Sequence, residues 1–89
     1  MNRCTVRVAS PLRSYTGNAA EVAGRGDTLH AVLKHLNADY PGMRFRMIDE
    51  QDAIRPHIRL FVNSNEALRL DRPVAAGDTV HLICALSGG

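Results

Sequence analysis

The chain closes on Ser87-Gly88-Gly89, and this tripeptide is where the sequence first offers chemistry. A carboxylate ending a chain is a poor electrophile until it becomes an acyl-phosphate-type anhydride. An enzyme that activates it must first take it into its own active site. Glycine has no Cβ, so a Gly-Gly tether is narrow and reaches backbone conformations closed to other residues. If that carboxylate reacts, Gly89 carries it and Gly88 lets it reach. With Gly89 ending the sequence, no peptide is expected to need trimming before activation. Two terminal glycines alone say little, because a frayed end can finish the same way. What precedes them has to decide.

Other residues that could do chemistry are poorly placed for it. His30 and His35 are five apart on a helical stretch, about 140° round its axis, and cannot chelate together. His57 and His81 could be neighbours on adjacent strands, but no cysteine or carboxylate is placed to complete a metal site. No metal is expected. Cys4 and Cys84 stand at opposite ends of the chain, a spacing that suits neither a disulfide framework nor a metal site. Four closely spaced cysteines would be needed for a plant-type iron–sulfur centre, which excludes that reading. Cys84 lies close enough to Gly89 to suggest sulfur handling, although a small residue ending a buried strand is the plainer account. Asp49, Glu50 and Asp52 read as a solvated loop rather than an acid/base pair.

The elements that must position the tail fit one domain of 89 residues, long enough for a core of about 20 apolar side chains but short for a deep catalytic cavity. That favours a carrier or binding module over a self-sufficient enzyme. Hydrophobic residues make up 45% and charged residues 22%, as in an ordinary globular domain. The net charge of +2 is spread along the chain without a basic block, and there is no Trp, so the footprint of a nucleic-acid binder is missing. No apolar run reaches signal-peptide or membrane-span length, and a cytoplasmic protein is expected.

Residues 3–8 alternate Cys4, Val6 and Val8 with Arg3, Thr5 and Arg7, the pattern of a half-buried strand. Ser10-Pro11 breaks it, Thr16-Gly17-Asn18 is turn chemistry, and residues 19–24 complete a hairpin. Asp27 or Thr28 can cap a helix whose Leu29, Val32, Leu33, Leu36 and Tyr40 form one apolar stripe, stopped by Pro41-Gly42. Residues 43–48 suit a short helical turn. Strands are expected over residues 57–62, 66–70 and 79–84. The order β-β-α-(turn)-β-β-β predicts an α+β fold, a β-grasp (ubiquitin-like) roll with a mixed sheet of four to five strands and one main helix on one face. In such a roll the first and last strands run parallel, which separates Cys4 and Cys84 by about a strand length, roughly 17–20 Å. Residues 1–84 form the expected domain and 85–89 its tail. On the alternation of the last strand, Val80, Leu82 and Cys84 face the helix and Ile83 faces the open side with Phe61. That pair is either a docking patch or a second small core under residues 43–56.

The carboxyl end also carries a resemblance. Ala76-Gly77-Asp78-Thr79-Val80 is similar to the turn before the last strand of the ThiS/MoaD sulfur carriers, and Gly88-Gly89 ends the chain as theirs does. Gly26-Asp27-Thr28-Leu29, Tyr40-Pro41-Gly42-Met43-Arg44, Arg55-Pro56-His57 and Leu60-Phe61-Val62-Asn63 resemble the longer MoaD-like branch, which includes cysteine-biosynthesis carriers. The resemblance covers nearly the whole chain in register. It implies no bound cofactor. Instead an ATP-using activating enzyme of the ThiF/MoeB type adenylates Gly89, and a persulfide on a desulfurase or rhodanese supplies sulfur. The Gly89 thiocarboxylate then serves a sulfur-accepting biosynthetic enzyme. Ser87 and Leu86 would line the entrance to a partner's channel. Ile83 stands where the family has a partner-facing phenylalanine, and Arg13 matches an arginine of its first hairpin, although a plain surface arginine is the simpler reading. A monomer is expected when no partner is bound. The family's proline before the glycines is missing from Cys84-Ala85-Leu86-Ser87, which leaves the partner's identity open. Two alternatives remain. One is the small subunit of a molybdopterin synthase, and the other is a modifier joined to lysines, for which Lys34 is the sole chain-building site here.

Overall fold

The computed structural model describes residues 2–85. Its elements follow the order expected: β1 (Arg3–Val8), β2 (Glu21–Arg25), α1 (Leu29–Asp39), α2 (Met43–Met47), β3 (Ile58–Val62), β4 (Asn65–Ala67) and β5 (Thr79–Cys84). They build one mixed sheet in the order β2-β1-β5-β3-β4. β1 and β5 are parallel neighbours, with Thr5 opposite Thr79 and Val8 opposite Leu82. The β1–β2, β3–β5 and β3–β4 pairs are antiparallel. Strand β5, which leads towards the glycines, is therefore central and bonded on both sides. This is the β-grasp fold.

Helix α1 forms because its first turn is capped and one face is apolar. Of the two cap candidates it is Thr28 that acts, its hydroxyl accepting from the Ala31 amide at 3.2 Å. Asp27 instead accepts from the Asn2 amide at 3.0 Å. Leu29, Val32, Leu33 and Leu36 are buried against Val6, Val8, Val22, Leu60, Val62, Val80 and Leu82. Each such side chain removed from water is worth about 1.5–3 kcal/mol. Tyr40 ends the stripe half-buried, its amide returning to the Leu36 carbonyl at 2.8 Å. Gly26 makes the crossing from β2 to α1 possible, since its φ is +153° and a Cβ there would stand 2.6 Å from the Val32 nitrogen.

Three local differences from the expectations have physical reasons. Between β1 and β2 the chain forms a 3-10 segment, Ser10–Thr16, which buries Leu12 and Thr16 before the left-handed Gly17 and Asn18 turn it back. Strand β2 is accordingly displaced, running to Arg25 rather than ending at residue 24. Strand β4 ends at Ala67 instead of residue 70 because Leu68 swings out to 79% exposure and the Leu70 carbonyl accepts from the His30 amide at 2.9 Å. The segment after α2 folds back on itself through an Ile48–Ile54 bridge. There Asp49 accepts from the Gln51 and Ala53 amides at 2.9 and 3.0 Å, and those bonds hold its carboxyl below the usual aspartate range. No helix among the described residues is long and apolar enough to cross a membrane.

Candidate functional site

Strand β5 delivers the chain to the carboxyl-end edge of the sheet. The Ala85 amide donates to the His57 carbonyl at 2.7 Å, and on the other flank the Ala9 amide donates to the Leu82 carbonyl at 3.1 Å. Leu86, Ser87, Gly88 and Gly89, the residues assigned the chemistry and the channel entrance, lie outside the described residues. The structure supplies the rim from which they continue.

Alternation along β5 sorts that rim. Val80 and Leu82 are buried, Cys84 is half-buried, and Ile83 is 40% exposed on the helix-free face. Ile83 pairs with Arg59 across β3, and half-buried Phe61 pairs with His81 on the same face. A second core does not form there, because Met43, Met47 and Ile48 all join the main core. Arg13 is not a plain surface arginine. It is half-buried, and its Nε donates to the Val8 carbonyl at 2.9 Å. Together with Val8, Ala9, His81 and Ile83 it lines a concavity of about 170 Å³. Arg13 and Ile83 are thus brought together, while Phe61 stands further from the exit.

The register corrects one pairing considered from the sequence. His81 lies opposite Phe61, whereas His57 sits beside Ala85, so the two histidines are not neighbours across the strands. The cysteines are free and at opposite ends, as the parallel β1–β5 pair requires. Burial pushes the Cys84 thiol up, partly offset by the nearby Arg46 guanidinium. At neutral pH that thiol stays protonated, a poor nucleophile.

One group beside the exit escapes the sequence reading. Phe45 is 58% exposed, and the Arg55 guanidinium carbon stands 4.5 Å from its ring centroid. Phe45, Arg46, Glu50, Arg55 and His57 line a groove of about 320 Å³. A signal existed: Met43 and Met47, one turn apart and both buried, put Phe45 on the far side of α2. Its partner Arg55 was not readable, since only the Ile48–Ile54 fold-back brings it there.

With this fold and rim in place, similarity to known proteins places the chain. It belongs to the ThiS family, whose model matches residues 6–89, through Gly88-Gly89. It is 33% identical over 90 aligned positions to the sulfur carrier protein CysO of Mycobacterium tuberculosis, covering 96% of this chain and 97% of that one. A crystal structure of that CysO superimposes with a TM-score of 0.87, covering 93% and 99%. A chain in the crystal structure of the Amycolatopsis orientalis BexX/CysO complex superimposes with a TM-score of 0.89 at 26% identity, covering 97% and 99%. Small archaeal modifier protein 3 of Haloferax volcanii is 32% identical over 65 positions, 70% of each chain.

Proposed function

We propose that this chain is a sulfur carrier whose Gly89 carboxylate is the carrying group. The observation that supports it most is the family match running through Gly88-Gly89, directly after a central β-grasp strand. An ATP-dependent activating enzyme of the ThiF/MoeB type joins the carboxylate to AMP and releases pyrophosphate. The outer sulfur of a persulfide, held on a desulfurase or rhodanese, attacks the acyl carbon and AMP leaves. A thiol then cleaves the resulting acyl disulfide, leaving the Gly89 thiocarboxylate and a disulfide on the donor side. The thiocarboxylate delivers sulfur to a biosynthetic enzyme, and the resemblance to the cysteine-biosynthesis carriers favours cysteine formation as the destination. The chain acts as a co-substrate and not as an enzyme. The crystallised BexX/CysO complex supports a role played against a partner protein. In this reading Leu86 and Ser87 line the partner's channel, and Ile83, Phe61 and Arg13 touch its mouth.

Intact mass spectrometry after incubation with ATP, the activating enzyme and a persulfide donor tests this. Exchange of one oxygen for sulfur, confined by fragmentation to Gly89, is the expected result, and an unchanged mass refutes it. A second reading, conjugation to lysines, is favoured by the likeness to the archaeal modifier. A ladder of lysine adducts in cell extract, with no thiocarboxylate, would replace the first reading with this one.

A further inference from the structure

We propose that Phe45, Arg46, Arg55 and His57 form a docking site beside the tail exit for an acidic protein surface, the one bordering the tail channel of the activating enzyme. This rests on the tail chemistry proposed above, and it adds a second point of grip on a different element.

The construction of the site starts from α2. Met43 and Met47 are fully buried, which turns the short helix so that Phe45 and Arg46 face outward. A phenylalanine at 58% exposure gains little from the fold. The chain has only two phenylalanines, and this one is held out to solvent. Its surroundings are nonetheless ordered by the backbone. The Arg55 amide donates to the Met47 carbonyl at 2.9 Å, and the Arg55 Nε donates to the Phe45 carbonyl at 2.7 Å. Those two bonds set the guanidinium over the aromatic face, where the ring quadrupole attracts it. The aromatic anchor and its cation are therefore arranged before any partner arrives, so less conformational freedom is lost on binding. Aromatic and arginine side chains presented in this way are the groups that carry most interface energy.

Charge identifies the occupant. Arg7, Arg25, Arg44, Arg59 and Arg69 each hold a carboxylate of this chain. Among the described residues, no carboxylate lies within ion-pair distance of Arg46 or Arg55. Glu50 lines the groove against these two guanidinium groups, and the Asp49 carboxylate, which accepts from the Ala53 and Gln51 amides outside the lining, keeps its charge and acts on Arg55 from there. The lining itself thus carries two guanidinium groups against one carboxylate, a local surplus of positive charge that suits an acidic partner. Position ties that partner to the tail. His57 lines the groove, and its carbonyl holds the Ala85 amide at the last described position of the chain. The four residues from 86 to 89 span at most about 14 Å when extended, so a protein that grips Gly89 must come within about that distance of the groove.

The test measures affinity of the full chain for the activating enzyme without ATP, at low and high salt, for the wild type, Phe45→Ala and Arg46→Glu. Both side chains are exposed, so thermal unfolding midpoints should match the wild type and a folding defect cannot mimic the effect. Each substitution is expected to weaken binding about tenfold, and Arg46→Glu should also flatten the salt dependence. Equal affinities for all three proteins would overturn the proposal, as would failure of the wild type to bind. A concentration-dependent dimer of the wild type, lost in Phe45→Ala, would assign the site to a second copy of the chain instead. Sulfur exchange at Gly89, scored in the same preparations after ATP and donor are added, judges the tail chemistry separately from the affinities.

Discussion

Where β1 and β5 begin, polar side chains turn inward on the backbone of neighbouring loops. Asn2 donates to the Val74 carbonyl at 2.9 Å, Asp78 accepts from the Ala75 amide at 2.8 Å, and Asn63 accepts from the Thr79 amide at 3.0 Å. Asn63 also donates to Asp78 at 3.0 Å, closing a ring of contacts between the β3–β4 turn and the start of β5. Where the same two strands end, Ile83 and Phe45 face solvent and Arg46 is exposed. One end fastens loops to one another, and the other presents groups that the fold itself uses little. Substitutions should therefore separate. Changes at the fastened end should be felt as stability, and changes at the exit end as partner affinity.

The largest effect is expected at Gly26. An added Cβ would meet the Val32 nitrogen at 2.6 Å and the Ala31 carbonyl carbon at 2.9 Å, in a conformation that side chains rarely adopt. Gly26→Ala should cost about 3 kcal/mol in urea unfolding, and a loss below about 1 kcal/mol would mean the β2–α1 crossing is not so constrained. Asn63 comes next, at φ +56° with both side-chain bonds in use. Asn63→Ala should lose about 1–2 kcal/mol, read from the same unfolding curves.

Asp78 sharpens the comparison through pH. Bonds from the Ala75 amide and then the Asn63 side chain hold its carboxyl below the usual aspartate range. A depressed folded value means the contribution is present above the unfolded value and disappears as pH falls through the folded one. Wild type should accordingly lose more stability than Asp78→Asn between about pH 5 and pH 2, and parallel curves would dismiss the role of the charge. The smallest change in stability belongs to the exit end. Ile83→Ser should shift unfolding by less than about 1 kcal/mol while weakening partner binding, and intact binding would remove Ile83 from the contact surface.

The sequence was legible where one signal decided the outcome. Period-two alternation placed β1 and β5, and the leucine stripe with its polar cap placed α1. It was less legible where distant backbone had to arrive first. The 3-10 segment at Ser10–Thr16 looked like a break and a turn, because Pro11 hid a stretch that buries Leu12. Leu68 and Leu70 looked like strand residues until the His30 amide claimed the Leu70 carbonyl. On the candidate site, the outward face of Ile83 followed from alternation, while its choice as a contact came from the family resemblance. Arg13 needed the Val8 carbonyl, and the Phe45–Arg55 pair needed the fold-back of residues 48–54.

The central position of β5 has a mechanical consequence. A pull on the carboxyl end is transmitted along a strand bonded to β1 on one flank and β3 on the other. Such a force shears both ladders at once instead of unzipping them one bond at a time, so the resisting bonds share the load. A carrier built this way can be drawn firmly by its end, and the domain behind it stays folded.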